Sequence, residues 1–134
     1  MLVLNPGDKL QGCASRASIV TYLIFGAVIR SSGTTYKRLG EGFLPEENPD
    51  PGVIDPGDLY TAPDDVVSVL IYLVIAVNTD SVTSRRTELY LLPKDGWIKS
   101  IIPFALQLGA GYSLHTNGDF VNVYDKLGQL QVTS

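Results

Sequence analysis

Val66-Val-Ser-Val-Leu-Ile-Tyr-Leu-Val-Ile-Ala-Val77 is followed by a polar break, Asn78-Thr-Asp-Ser-Val-Thr-Ser84, and then by Arg85-Arg-Thr-Glu-Leu-Tyr-Leu-Leu92. The first run is dense in β-branched and aromatic residues. These suit a pleated, packed surface better than a helix. The two runs read as neighbouring antiparallel strands joined by a loop. The longest apolar runs, Val66–Val77 and Ile19–Ile29, both fall short of the roughly 18–20 residues a membrane helix needs.

Residues 17–30 form the second strong strand. Ile19, Thr21, Leu23 and Phe25 fall on one face, and Val20, Tyr22, Ile24 and Val28 on the other. Gly26 interrupts the run and marks a bulge or a close backbone approach. An antiparallel sheet normally shows water one polar face. Two apolar faces therefore predict a covered central strand, or a face buried between subunits.

Short strands fill the rest of the chain. Ser31-Ser-Gly-Thr34 turns residues 17–30 back into a more polar strand ending near Leu44. Asp95-Gly96 and Asn117-Gly118 are strong tight-turn signals. Residues 97–102, 112–116, 119–124 and 129–134 read as further strands, with 104–108 a strand or a bridging piece. About eight to ten short strands with turn chemistry between them, and no capped helical periodicity, predict an all-β antiparallel β-sandwich, jelly-roll-like. Residues 18–45 echo residues 66–93 at an offset of 48, Leu44-Pro45 matching Leu92-Pro93. Two hairpins sharing the same strand grammar account for that echo.

The chain has 134 residues, 45% hydrophobic and 18% charged, which fits one globular domain over residues 1–134. So low a charge share favours a protein that covers surface against copies of itself or a partner. The net charge of −4 argues against a nucleic-acid role, which wants a basic face. Met1-Leu-Val-Leu lacks a basic n-region, so no signal peptide and no membrane association are expected. Residues 1–16 read as an edge strand or an N-terminal arm.

Residues 45–63 form a long acidic Pro/Gly-rich loop that no central strand can traverse. Its carboxylates are of the kind calcium takes, but their spacing fits no EF-hand. A solvated loop docking on a basic neighbour is the simpler reading, and no metal is expected. Cys13 is the one cysteine, so no internal disulfide is possible. His115, the one histidine, shares a strand face with Ser113 and cannot build a triad with it. Gly109-Ala-Gly111 lacks the third glycine of a dinucleotide fingerprint. No catalytic residue and no cofactor are expected. The candidate interface comprises Tyr22 and Phe25, the basic pairs Lys37-Arg38 and Arg85-Arg86, the acidic Glu46, Glu47 and Asp50, and Trp97. The basic pairs would meet the acidic loop of an adjacent copy. Trp97, with Tyr90, Tyr112 and Tyr124, is an anchor for packing or a platform for sugar rings.

Several motifs occur in a telling order: Leu59-Tyr-Thr-Ala-Pro63, Ile75-Ala-Val-Asn-Thr-Asp80, Glu88-Leu-Tyr-Leu-Leu92, Ile101-Ile-Pro103 and Leu108-Gly-Ala-Gly-Tyr-Ser-Leu114. Together with Leu10-Gln-Gly12 and residues 14–22, they make nearly the whole chain resemble a family of small virion proteins of tailed bacteriophages. The acidic insertion before Leu59 departs from that pattern. The resemblance implies a non-enzymatic β-sandwich in the virion. First among its implied roles is a capsid decoration or cement protein, a homo-oligomer with a trimer favoured, bound to the major capsid protein or other virion proteins. A head–tail, tail or baseplate component, and a glycan-binding module, are the alternatives.

Overall fold

The structure, a computed structural model, describes residues 1–50 and 53–133, the last two of these by backbone alone. Pro51 and Gly52 of the acidic loop, and Ser134 at the end of the last expected strand, lie outside the described residues. The chain is all β. Its strands run in the order β1 (Leu2–Leu4), β2 (Lys9–Ala14), β3 (Val20–Arg30), β4 (Gly33–Phe43), β5 (Gly57–Thr61), β6 (Ser68–Asn78), β7 (Arg85–Leu92), β8 (Lys99–Ser100), β9 (Leu106–Leu108), β10 (Ser113–Thr116), β11 (Val121–Tyr124) and β12 (Leu130–Thr133). The excess over eight to ten comes from two- and three-residue strands such as β1, β8 and β9, too short to show a period-2 pattern.

Two antiparallel sheets face each other as a sandwich. The larger has seven strands in the order β12-β11-β10-β6-β3-β4, with β1 added beside β6. The smaller has five in the order β5-β2-β7-β8, with β9 added beside β7. Between them lies one core. Leu10, Ala14 and Leu89 enter it from the smaller sheet, and Val20, Ile24, Val69, Ile71, Val74, Ala76 and Leu114 from the larger. Each fully buried Leu or Ile contributes roughly 1.5–3 kcal/mol of transfer free energy.

The pairing of β3 with β6 forms the spine, running from Val20↔Asn78 to Ile29↔Ser68. Its register shifts between Phe25↔Leu73 and Gly26↔Ile71, so Tyr72 is an extra residue in β6. That bulge explains why Ile71 and Val74, three residues apart, both enter the core. Gly26 is required at the kink, because a Cβ there would lie 2.1 Å from the Leu70 carbonyl oxygen.

The expected hairpin between residues 66–77 and 85–92 is not formed. β6 belongs to the larger sheet and β7 to the smaller. One edge of β6 is taken by β3, and the other is shared by β1 and β10. No edge remains for β7. The polar break is therefore a corner between sheets, and the echo between residues 18–45 and 66–93 has no structural counterpart. Asn78, fully buried, holds this corner. Its Nδ2 donates to the carbonyl oxygens of Thr83, Leu108 and Gly109 at 2.9–3.1 Å, and its Oδ1 accepts the Asp80 N–H. Within residues 1–16, β1 is an edge strand paired with β6 alone, whereas β2 is neither arm nor edge, because it lies between β5 and β7. Gln11 and Cys13, which a terminal edge strand would turn to solvent, are accordingly buried.

Replacing Asn78 with alanine takes the donor from the buried Leu108 carbonyl and from the partly buried carbonyls of Thr83 and Gly109. Asn78→Ala is expected to lower stability by roughly 2–3 kcal/mol. Urea unfolding followed by circular dichroism checks this as a lowered midpoint with an unchanged slope.

Candidate functional site

The two outer faces of the sandwich differ in kind. On the smaller sheet, β2 and β7 turn Gln11, Cys13, Glu88 and Tyr90 away from the core, yet all four are buried. The acidic loop covers them. Glu47 forms a two-pronged ion pair with Arg86, and the Glu47 N–H donates to the Ala14 carbonyl. A cleft of about 410 Å³ remains beneath the loop, lined by Glu47, Asp50, Arg86, Glu88, Tyr90 and Phe104 among others. Glu88 sits at its floor. The Tyr90 hydroxyl donates to one carboxylate oxygen at 2.6 Å and the Cys13 thiol to the other at 3.3 Å.

Burial and the Glu88 carboxylate push the Cys13 thiol up to about 12, and the same two causes raise Tyr90. A thiol that keeps its proton is a poor nucleophile. The floor of the cleft is thus a hydrogen-bonded polar layer. Among the described residues, no three His, Cys, Asp or Glu side chains gather as a metal-binding group.

The outer face of the larger sheet is apolar instead. Pairing places Phe43, Thr21, Val77, Ser113 and Tyr124 in one row across it, and Glu41, Leu23, Ile75, His115 and Asn122 in the next. Arg38, Phe25 and Leu73 form a third row, and Tyr36, Ala27, Leu70 and Val3 a fourth. Most side chains in these rows keep part of their surface in solvent. Tyr36 stacks on Tyr72 with ring centroids 6.1 Å apart. The only charged residues in the rows are Arg38 and Glu41, which pair with each other at 3.3 Å.

His115 lies in this face, its ring 4.8 Å from that of Tyr124. Its row neighbours are Ile75 and Asn122, and among the described residues no carboxylate orients it. Burial pulls its pKa down from the usual histidine value.

The structure spreads the candidate interface residues over different surfaces. Phe25 and Arg38 stand on the outer face of the larger sheet, and Lys37 is exposed on β4 beside them. Tyr22 points the other way and packs against the core beside Gly40 and Gly42. Arg85 is held by Asp80 at 2.7 Å. Asp80 also accepts the N–H groups of Val82 and Thr83, and these donors with Arg85 pull its carboxyl down to about 2. Arg86 meets Glu47 of its own chain, so the basic-to-acidic contact expected between copies is made within one. Glu46 is exposed, and so is Asp50.

Trp97 is 87% exposed in the turn between β7 and β8. Tyr90 is buried, and Tyr112 and Tyr124 belong to the larger sheet's side, so the four aromatics form no single platform. Sequence reasoning missed Glu88. Its one signal was a carboxylate amid the apolar run Leu89-Tyr-Leu-Leu92. No protein family, curated protein or solved structure compared with the chain matches it.

Cys13 in the native protein is expected to be inert towards a thiol reagent at pH 8 and to react at the rate of unfolding, which a denaturant series of thiol titrations checks. His115 is expected to titrate below 6.5 in the folded chain, so stability is lost as pH falls from about 6.5 towards the depressed value. Proton NMR of the single imidazole reads the midpoint.

Proposed function

We propose that this protein is a non-enzymatic assembly subunit of a tailed-bacteriophage virion, with capsid decoration or cement as its role. The observation that carries the assembly reading is the uncovered apolar outer face of the seven-stranded sheet. Extended apolar patches on soluble chains mark places where another surface docks. The virion setting is supported by the order of motifs from Leu59 to Leu114 that resembles such proteins. The Cys13 thiol, held to the Glu88 carboxylate and kept protonated, fits a structural role, as does the lack of an orienting carboxylate at His115 among the described residues.

In this role the subunit is a homo-oligomer that also contacts the major capsid protein or another virion protein. Attachment at the head–tail junction, tail or baseplate is the neighbouring possibility within the same class. A glycan-binding module is a second reading, favoured by the exposed indole of Trp97, since exposed aromatic rings stack on sugars.

Mixing the purified chain with empty capsids of the phage that carries it, with sedimentation as the readout, tests the proposal. Saturable co-sedimentation that oligosaccharides do not displace is the expected result. No attachment to any part of the particle, together with saturable binding of an oligosaccharide that Trp97→Ala abolishes, replaces the reading with the glycan-binding one.

A further inference from the structure

We infer that the outer face of the seven-stranded sheet is covered by the same face of a second copy of this chain, packed sheet on sheet about a two-fold axis. The inference rests on the assembly reading above and names its contact surface and symmetry. It departs from the three-fold ring that the resemblance implies, because a face that meets itself generates a two-fold.

Three observations lead to it. The first is size. β3 and β6 are each 11 residues long, or about 36 Å at the usual strand rise. With β4 on one side and the shorter β1, β10 and β11 on the other, the flat footprint is roughly 700 Å² at ordinary strand spacing. A stable, specific interface takes about 800 Å² from each partner. The face is therefore large enough to supply most of a dimer contact by itself.

The second is charge. The chain carries a net charge of −4, so two copies repel on average. The face escapes that repulsion, because its rows hold one cation, Arg38, and one anion, Glu41. A strongly basic or acidic partner would find only this balanced pair within the rows. A second copy finds a neutral surface and can exchange partners, Arg38 of each copy reaching Glu41 of the other.

The third is the chemistry of the centre. Leu23, Phe25, Leu73 and Ile75 occupy adjoining rows with no ionised group between them. Tyr36 and Tyr72 stack beside them. An apolar centre rich in aromatics with its charges at the margin is the anatomy of a self-associating surface. Two such sheets pack about 10 Å apart with interdigitated side chains.

Analytical ultracentrifugation of the full chain from about 1 to 100 µM, a span of roughly two decades around a micromolar dissociation constant, tests this. The wild type is expected to form a dimer or a higher even-numbered species. Phe25→Glu is expected to weaken association at least about 30-fold, the loss typical of a central anchor. Its circular dichroism and melting curve show whether the monomer still folds, as expected for a side chain that already faces solvent. Arg38→Glu is expected to weaken association as well, and Arg38→Glu combined with Glu41→Arg to restore it.

A trimer, or an even-numbered oligomer that neither Phe25→Glu nor Arg38→Glu loosens, overturns the two-fold contact and leaves the assembly reading standing. A wild-type monomer throughout the range that nonetheless attaches to capsids also overturns the contact alone. A monomer that attaches to nothing removes both.

Discussion

The register between β3 and β6 constrains every other feature of the molecule. That pairing takes one edge of β6 along its length, and β1 and β10 divide the other. A strand with no free edge cannot form a hairpin with its successor, so the chain must leave the sheet after Asn78. The buried amide of that residue makes the exit definite. It binds the carbonyls of the crossing segment and of the approach to β10 at one point. β7 is thereby delivered to the opposite layer, and the sandwich closes over a single core.

The two layers solve the problem of their outward faces differently. The smaller sheet turns out a polar set, Gln11, Cys13, Glu88 and Tyr90, and the chain covers it with its own acidic loop. The Arg86–Glu47 pair and the contact of Glu47 with Ala14 clasp that loop down. The larger sheet turns out leucine, isoleucine, valine and aromatic side chains, and no described segment of the chain lies over them. Local economy would have put the loop over the greasier face. It lies over the polar one instead, and the described residues leave the apolar face uncovered. This asymmetry is the observation on which the proposed assembly role rests.

Much of this was legible in the residues. The β-branched runs pointed to β3 and β6, Asn117-Gly118 to the β10–β11 hairpin, and the absence of helical period to the class. Apolar residues on both faces of β3 signalled a central strand, and β3 does lie between β4 and β6 with one face in the core. What period-2 patterning cannot show is which strands neighbour each other. Strand adjacency depends on edges already occupied elsewhere, and so the β6–β7 hairpin was a natural but mistaken reading. The same limit applied to β2, whose Gln11 and Cys13 look like solvent-facing residues until Asp58, Glu88 and the loop are folded against them. The partners of the second basic pair were hidden for a related reason: Arg85 and Arg86 find Asp80 and Glu47 within the chain, and only the three-dimensional path of the backbone makes those partners available.

Trp97 carries a practical corollary. It is the single indole in the molecule and stands in solvent in the native fold. Its emission therefore already resembles that of an unfolded chain, and melting changes it little. The tyrosines beneath the sheets, absorbing in the near ultraviolet, are the chromophores that report collapse of the core. A blue-shifted indole spectrum, by contrast, signals that some other molecule has closed over the tip of the β7–β8 turn, which makes the wild-type chain its own label for encounters at that end.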